Sequence, residues 1–413
     1  MPRTAELPRS TAVAIIGGGI MGLSAAWHLA RRGHRDVTVL ESDTVGAGAS
    51  GRTGALLRQH YTNRPETHLA NWSLDVYRRW PDLIDLAPVH TPTPLVVTVP
   101  VGPSIGPPGD DNMDRLRRNV TMQRGVGVQT RIVTPDELRA LQPYARTDDL
   151  RAVALEADSG YVDAPAAVRA LALACRRLGV RIVERSAVTS VVLTGERVAA
   201  VMVEGQRIAT EHVVIAAGAH SPAIAATAGI ALPITALRVQ LAVLVRPLTL
   251  EPAHFAYVDV VGGFFCRPYG PGRTLVGVAG GDQHDPVHPD RYVRSSDEAY
   301  GEAARQAIAR RFPAMAHSSV SYGWAGLYDM SPDTHPLIGP LGPRGLWIAA
   351  GFSGAGFKKG PAVGRALADL VLDGRCGLFE LDRFAPRRFE SETWRDPWSP
   401  NEYEATADFG HRL

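Results

Sequence analysis

Residues 12–41 read AVAIIGGGIMGLSAAWHLARRGHRDVTVLE, and this stretch decides the fold. The apolar, partly β-branched run 12–16 predicts a strand that stops where the glycines begin. Residues 23–32 have the composition of a helix that ends at Gly33, and VTVLE (37–41) alternates like a second strand. The segment therefore predicts a strand, a glycine-rich turn, a helix and a second strand in direct succession.

The glycines of this turn have a spacing with a chemical meaning. Gly17, Gly19 and Gly22 form GxGxxG, and Glu41 lies at the tip of the second strand. Glycines allow a tight turn and let the backbone approach a pyrophosphate at the positive N-terminus of a helix. A carboxylate at the strand tip accepts hydrogen bonds from ribose hydroxyls. Because the motif lies between a strand and a helix, it predicts a dinucleotide-binding site.

Composition excludes several classes of protein. A chain of 413 residues is longer than one core usually supports, so we expect two domains. The net charge of +2, without a basic cluster, argues against nucleic acid as a partner. The short apolar run after residues 1–10 resembles neither a signal peptide nor a membrane span. Three widely spaced cysteines, Cys175, Cys266 and Cys376, predict no disulfide framework, no metal site and a reducing, cytoplasmic setting.

A second stretch of regular structure follows in the middle of the chain. Asp163 as N-cap, Pro165 in the first turn and Gly179 as the stop predict a helix. Four strand-like runs come next, RIVE, AVTSVVL, RVAAVMV and HVVIAAG, with turns at Gly195 and Gly205. They predict a meander that returns to the first sheet.

The segments between these two regions, and after the second one, differ in amino-acid composition. Residues 88–108 are dense in proline and valine and predict irregular or edge-strand structure. The polar segment 135–149 also differs in composition from the regular elements of the first domain. After residue 222 the runs VQLAVLV, GGFFCRP and TLVGVAG predict strands. One helix, opened by a capping box from Ser295 to Glu298, ends before Pro313. These features predict a second, β-rich domain that interrupts the first one twice.

Four separated segments carry a resemblance to a known family. They are AIIGGGIMGLSAAWHLARRG (14–33), GAGASGRTGALLRQHY (46–61), HVVIAAGAHSP (212–222) and a last segment, DMSPDTHPLIGP through IAAGFSGAGFKKGPAVGRALADL (329–370). In this order they resemble the FAD-dependent amine and amino-acid oxidoreductases of the D-amino-acid oxidase superfamily. The last segment is most similar to the branch of the sarcosine and glycine oxidases. The resemblance implies oxidation of a carbon next to an amine nitrogen, with FAD as cofactor.

The resemblance also implies a fold class. We expect an α/β protein with a Rossmann-type, glutathione-reductase-like FAD-binding domain assembled from residues 1–87, 150–225 and 321–413. A β-rich α+β substrate-binding domain would comprise residues 88–149 and 226–320.

The predicted cofactor-binding residues follow from these motifs. They are Gly17, Gly19, Ile20, Met21, Gly22, Glu41, Ser42, Ser50, Arg52, Thr53, Val188, Ala217, Gly218, Gly326, Gly351, Phe352, Gly354, Gly356, Phe357 and Lys358. After the strand expected at 346–350, the glycines again allow backbone to approach a ligand where a helix starts. The positive end of that helix would stabilise charge that develops on a reduced flavin.

The substrate site is predicted from the same resemblance. Family members hold the substrate carboxylate with an arginine and a lysine at the positions of Arg58 and Lys358, and an Arg fork suits a carboxylate. Arg267 is a second candidate for this role. Tyr61, together with His60 and Tyr269, is expected to line the pocket. Only two of the 44 basic residues are lysines, Lys358 and Lys359.

Four departures from the family pattern shape the remaining predictions. Gly326 and Arg52 stand where relatives attach the flavin through cysteine or histidine, so we expect non-covalent FAD. Leu275 stands where sarcosine oxidase has its oxygen-activating lysine, which leaves open whether oxygen, a quinone or a partner flavoprotein accepts the electrons. A non-catalytic FAD-binding subunit is a further alternative. Ala355 replaces a histidine and predicts a larger or differently polarised pocket.

Overall fold

The structure is a computed structural model, and it describes residues 5–99, 111–250, 253–278, 286–396 and 398–399. Its helices are α1 (Ile20–Arg31), α2 (Arg64–Arg78), α3 (Trp80–Ile84), α4 (Asn112–Gly125), α5 (Pro135–Leu141), α6 (Ala164–Arg177), α7 (Ser221–Ala226), α8 (Glu298–Arg311) and α9 (Gly360–Asp373). Its strands are β1 (Val13–Ile16), β2 (Val37–Leu40), β3 (His90–Pro92), β4 (Leu95–Thr98), β5 (Thr130–Val133), β6 (Val153–Glu156), β7 (Gly160–Val162), β8 (Arg181–Val183), β9 (Val188–Thr194), β10 (Arg197–Val203), β11 (Gln206–Ala209), β12 (His212–Ile215), β13 (Thr235–Val245), β14 (Ala256–Asp259), β15 (Phe264–Pro268), β16 (Arg273–Val278), β17 (Ser319–Met330), β18 (Leu337–Pro340) and β19 (Leu346–Ala350).

A six-stranded sheet in the order β18-β19-β12-β1-β2-β8 contains the opening motif. Strand β1 is parallel to both β2 and β12, and only β18 joins antiparallel. All four residues of β1 and of β2 are buried, as expected for a parallel sheet covered on both faces. Helices α1, α6 and α9 pack together beside this sheet. The predicted strand-turn-helix-strand unit is confirmed.

The second large sheet has eight strands in the order β17-β13-β16-β15-β14-β4-β6-β5. Helix α8 packs on one face, where Tyr257, Phe264 and Phe312 belong to a common core. The predicted fold class is confirmed: a mixed α/β architecture in which a mostly parallel sheet is joined to a second, β-rich unit. Strands β6 and β17 belong to the eight-stranded sheet although they fall largely in segments expected to bind FAD. The domain boundaries themselves stay a prediction.

Several local predictions need correction. The predicted meander does return to the first sheet through β12, but β9, β10 and β11 form a separate three-stranded sheet before that return, and β8 lies in the six-stranded sheet. Strand β4, from the proline-rich segment, is not an edge, because it lies between β14 and β6. Residues 100–108 of that segment lie outside the described part of the chain. Helix α5 begins in the polar segment, where Thr134 and Glu137 form a capping box.

The helix at 298–311 also begins differently from the prediction. Its N-cap is Asp297, whose side chain does not cap the helix, so the expected capping box from Ser295 is wrong. The reason is that the Asp297 carboxylate accepts hydrogen bonds from the side chains of Arg238 and Gln240. Helix α6 is confirmed: the Asp163 carboxylate accepts from the amide of Ala166 at 3.0 Å. Within the described ranges, no helix combines the length and apolar character needed to cross a membrane.

Candidate active site

The glycine turn has the backbone geometry that its sequence predicts. Gly17 has a φ of +114°, and a Cβ atom there would overlap the carbonyl oxygen of Ala216 at the end of β12. A Cβ atom at Gly22 would overlap the carbonyl oxygen of Gly17. Helix α1 begins at Ile20, and its first turn contains no acidic residue. The turn therefore leaves the positive helix end close to backbone that a phosphate group can approach.

Glu41 closes this turn from the neighbouring strand. Its Oε2 accepts from the amide of Gly18 at 2.7 Å, and its Oε1 accepts from the amide of Asp43 at 2.9 Å. The Ser42 hydroxyl donates to the same Oε1 at 3.2 Å. Each carboxylate oxygen has two lone pairs, and Oε2 accepts only one of these hydrogen bonds, so a ribose hydroxyl can still donate to Oε2.

Two further predicted segments meet the glycine turn. The amide of Ala216 donates to the carbonyl of Ile16 at 2.9 Å, which places Ala217 and Gly218 beside Gly17. The Ser50 hydroxyl oxygen accepts from the amide of Ile20 at 2.9 Å. Val188 is buried in the apolar cluster that includes Ile16 and Leu40. These positions lie beyond the carboxyl ends of parallel strands, where open α/β sheets bind nucleotides.

A cavity that is open to solvent at its mouth lies between the glycine loop after β19, residues 53–58 and the eight-stranded sheet. Its lining residues are Thr53, Gly54, Ala55, Leu56, Arg58, Val258, Phe265, Tyr328, Ser353, Gly354, Ala355, Phe357 and Lys358. Two of these lining residues are cationic, Arg58 and Lys358, and none is acidic. Mostly apolar walls with two convergent cations suit a small molecule with an anionic group.

The two cations are brought to the cavity from distant parts of the chain. Arg58 is buried, and its guanidinium carbon lies 4.4 Å from the centre of the Tyr61 ring. Lys358 is half-buried at the cavity. Burial, Arg58 and Lys359 all lower the pKa of the Lys358 ammonium well below its usual range, while Glu66 and Glu156 oppose the shift. A carboxylate that entered the cavity would favour the charged form of Lys358.

The loop that carries Lys358 is held from behind. The Asp329 carboxylate accepts from the amide of Gly351 at 2.7 Å, and burial raises the pKa of that carboxyl to about 6. The hydroxyl of Tyr77 donates to the carbonyl of Phe357 at 2.8 Å. Gly354 has a φ of +85°, and a Cβ there would press into the ring of Tyr328. The loop can thus approach the cavity only with glycine at this position.

The positions expected to determine flavin attachment lie together. The Cβ position of Gly326 is 3.2 Å from the Cβ of Arg52, and the indole of Trp324 donates to the Arg52 carbonyl at 2.8 Å. The Arg52 guanidinium donates to the carbonyl of Gly48 at 3.1 Å. Thr53 continues this segment into the cavity wall.

Arg267 and Tyr61 do not line the cavity. The Arg267 side chain donates to the carbonyls of Gly54 at 2.6 Å and Pro268 at 3.0 Å, and its guanidinium lies 4.4 Å from the Tyr161 ring centre. Burial lowers the pKa of Arg267 to about 10. In this arrangement Arg267 supports the wall at Gly54, and its contact with substrate stays a prediction.

Tyr61 and His60 lie behind the wall. Tyr61 is 1% exposed and packs against Ala355, which does line the cavity. Burial, and then the charge of Arg58, lower the pKa of His60 to about 3. His60 is therefore neutral at physiological pH. Tyr61 thus supports the wall from behind in this structure, and the pocket-lining role of Tyr61 and His60 stays a prediction.

The lining residues that were not predicted from the sequence are Gly54, Ala55, Leu56, Val258, Phe265, Tyr328 and Ser353. One of them carried a usable signal. Tyr328 lies two positions after Gly326 on β17, and residues two apart lie on the same face of a strand. Because Gly326 was already expected at the flavin, Tyr328 could have been predicted there too. The apolar ones, Leu56, Val258 and Phe265, resemble ordinary core residues.

A buried carboxyl next to the site gives a first testable prediction. Glu156 is fully buried, accepts from the Gln59 amide at 3.1 Å and also from the Ser159 hydroxyl. Burial raises its pKa from 4.5 to about 7. The folded protein then keeps a proton that the unfolded chain has released. The stabilisation is complete below pH 4.5 and is lost as pH rises through about 7.

Replacing Glu156 by Gln should therefore flatten the pH dependence of stability by about 3 kcal/mol between pH 4.5 and pH 7.5. Urea unfolding at several pH values in this range measures it. The exposed Glu196→Gln is the matched control and should retain the slope of the unsubstituted protein. An unchanged slope in the Glu156 variant would show that folding does not raise the pKa of this carboxyl.

The glycine turn and the cation-lined cavity define a dinucleotide-binding protein with a small-molecule pocket. Comparison with protein families specifies the class further: residues 12–370 match the family described as FAD dependent oxidoreductase (DAO). The chain belongs to this family, and the predicted resemblance is confirmed. FAD is accordingly its cofactor, and the turn at Gly17 and the glycine loop before Lys358 fit that group.

Individual relatives are moderately similar. The 4-methylaminobutanoate oxidase (formaldehyde-forming) of Paenarthrobacter nicotinovorans is 27% identical over 90% of this chain, but the match covers only 45% of that protein. The sarcosine oxidase subunit beta of Rhodobacter capsulatus is 24% identical over 92% of this chain and 90% of its own length. Among solved structures, L-proline dehydrogenase from P. horikoshii has a TM-score of 0.82 at 25% identity. The match covers 93% of this chain and 99% of that one.

Proposed function

We propose that this protein oxidises the C–N bond of an amino acid or N-alkyl amino acid, with Arg58 and Lys358 holding the substrate carboxylate. The observation that carries the proposal is the cavity itself, in which two cations and no acidic side chain are among the lining residues. Relatives named as oxidases of 4-methylaminobutanoate and sarcosine support this substrate class. The proposed substrate therefore carries a carboxylate and an amine.

The side chains of this protein would bind the substrate and orient it. The guanidinium of Arg58 offers two parallel N–H donors to a carboxylate, and Lys358 adds a point charge. The apolar side chains of Leu56, Val258 and Phe265 keep water from the reacting carbon. The chemistry that bound FAD supplies is acceptance of a hydride at N5 from that carbon, which leaves an imine. Orientation and charge placement are then the contributions of the protein.

We propose that FAD is held without a covalent bond. Gly326 has no side chain to form one, and the Arg52 guanidinium donates to the carbonyl of Gly48 instead of offering a nucleophile. A flavin released by acid denaturation would support this proposal.

The electron acceptor is proposed to be oxygen, with hydrogen peroxide as product. The alternative is a dehydrogenase that passes electrons to a quinone or a partner flavoprotein. Leu275 favours that alternative, because it is fully buried in an apolar cluster with Leu241 and Val243 and brings no charge towards oxygen. Reoxidation rates with oxygen and with an artificial acceptor separate the two.

A non-catalytic FAD-binding subunit is the candidate from another class. The match to a protein named sarcosine oxidase subunit beta, over 90% of that protein's length, supports the part of this alternative in which the chain is one subunit of a larger complex. We further propose a cytoplasmic location, since Cys175, Cys266 and Cys376 are all free thiols.

The visible spectrum of the purified flavoprotein tests the proposed function. The protein is mixed anaerobically with glycine, sarcosine, proline and other amino acids, one at a time. Bleaching by one of them supports an amine oxidoreductase and identifies its substrate class. A bound flavin that none of them reduces would favour the non-catalytic subunit.

A further inference from the structure

The two lysines of this chain are consecutive, but their surroundings differ. Lys358 is half-buried at the cavity, whereas Lys359 is completely buried. Burying an ammonium group is costly unless a counter-charge and hydrogen bonds compensate for the lost hydration. The structure supplies both through Glu66 of α2, which is 3% exposed and accepts a hydrogen bond from the Lys359 ammonium.

The Glu66 carboxylate is held firmly in this place. Its Oε2 accepts from Nδ1 of His335 at 2.8 Å and from Nδ2 of Asn63 at 2.9 Å. Burial opposes its ionisation, but the charges of Lys359 and His335 hold the pKa of this carboxyl well below its usual range. Glu66 and Lys359 therefore form a neutralised, hydrogen-bonded pair behind the cavity wall.

The pair is connected to both cavity cations. The Lys359 ammonium lies 4.2 Å from the centre of the Tyr61 ring, and the Arg58 guanidinium carbon lies 4.4 Å from the same centre. Both distances are within the range of a cation–π contact, which is stronger away from water. On the other side, Lys359 is the neighbour of Lys358, and its amide donates to the carbonyl of Gly356 at 2.8 Å.

Stability alone does not explain why this position is charged. Buried ion pairs can often be replaced by apolar side chains of similar size with little loss of stability. We propose that Lys359 and Glu66 are positioning residues for the carboxylate-binding wall: the pair fixes the Tyr61 ring beneath Arg58 and the turn that carries Lys358. This inference rests on the proposed function, because it assumes that Arg58 and Lys358 bind a carboxylate.

The test compares two probes on the flavin-bound protein by calorimetric titration. Anthranilate carries a carboxylate, and aniline is its counterpart without one. The double variant Glu66→Gln/Lys359→Met removes both charges of the pair, and the glutamine side-chain oxygen can still accept from Nδ1 of His335. We expect the dissociation constant for anthranilate to rise at least about tenfold while that for aniline and the thermal midpoint change little. With a substrate in hand, KM should rise more than kcat falls.

A second variant and a control complete the design. Tyr61→Leu keeps the charge pair but removes the ring, and it serves as the test if the double variant does not fold. It should lose anthranilate affinity in the same selective way. Asp75→Asn on the exposed face of α2 should bind both probes normally. If the double variant folds and still prefers anthranilate as strongly as the unsubstituted protein, the positioning role alone is overturned. If only Tyr61→Leu folds, the same result in that variant has the same meaning. No preference for anthranilate in the unsubstituted protein overturns the proposed carboxylate site, and this proposal with it.

Discussion

Replacing Arg58 by Met should raise KM for the amino-acid substrate roughly a hundredfold, equivalent to about 3 kcal/mol. The physical reason is that Arg58 is 6% exposed, so a carboxylate bound to it would be largely removed from water. Without the guanidinium, the desolvated carboxylate would keep only Lys358 as a partner. Steady-state kinetics with the substrate found by flavin bleaching measure the effect.

Two further variants show whether the effect of Arg58→Met is specific. Arg58→Lys keeps the charge but loses the planar fork, so we expect an intermediate rise in KM. Arg64→Met removes an exposed cation that pairs with Glu380 and should leave KM unchanged. If Arg58→Met also left KM within about threefold, the carboxylate would have to be held by Lys358 or by Arg267.

The parts of the fold that the sequence predicted are those with local signals. The strand β1, the glycine turn and α1 follow each other without interruption, and each is marked by its own composition. The cap at Asp163 and the stop at Gly179 enclose α6 because a helix end depends on the hydrogen bonds of a few neighbouring residues. Such features require no knowledge of distant contacts.

Strand partners could not be predicted in this way. Strand β4 lies between prolines and looks like an edge, yet it pairs with β14 on one side and β6 on the other. Its place depends on residues more than fifty positions away, and its buried LVVT sequence suits an interior position equally well. The same limitation explains why the separate sheet of β9, β10 and β11 could not be predicted.

The candidate site shows the same division. The resemblance placed Arg58 and Lys358 in one pocket across three hundred residues, and the structure brings them to one cavity. The contrast between Lys358 and Lys359 had no signal in the sequence. They lie in a short 3-10 turn, residues Phe357–Lys359, where successive side chains point roughly 120° apart. One therefore reaches the cavity and the other reaches Glu66.

Replacing Gly17 by Ala should abolish retention of FAD, with affinity falling by roughly a hundredfold or more. An alanine at this position would have to adopt a φ near +114° and would overlap the carbonyl of Ala216. The Cβ atom is fixed to the backbone at position 17 and the Ala216 oxygen is a backbone atom, so neither can move aside as a flexible side chain would. The strain would move either the turn or the end of β12, and the pyrophosphate contacts depend on the distance between them.

The absorbance ratio of flavin to protein after purification measures this loss, and titration of the apoprotein with FAD quantifies it. Gly125→Ala is the matched control, because Gly125 is exposed at the end of α4 and a Cβ there would meet no atom within 4 Å. That variant should keep its full flavin content. A yellow Gly17→Ala protein with normal FAD affinity would mean that the pyrophosphate does not approach this turn, and the dinucleotide site would have to be placed elsewhere along the sheet.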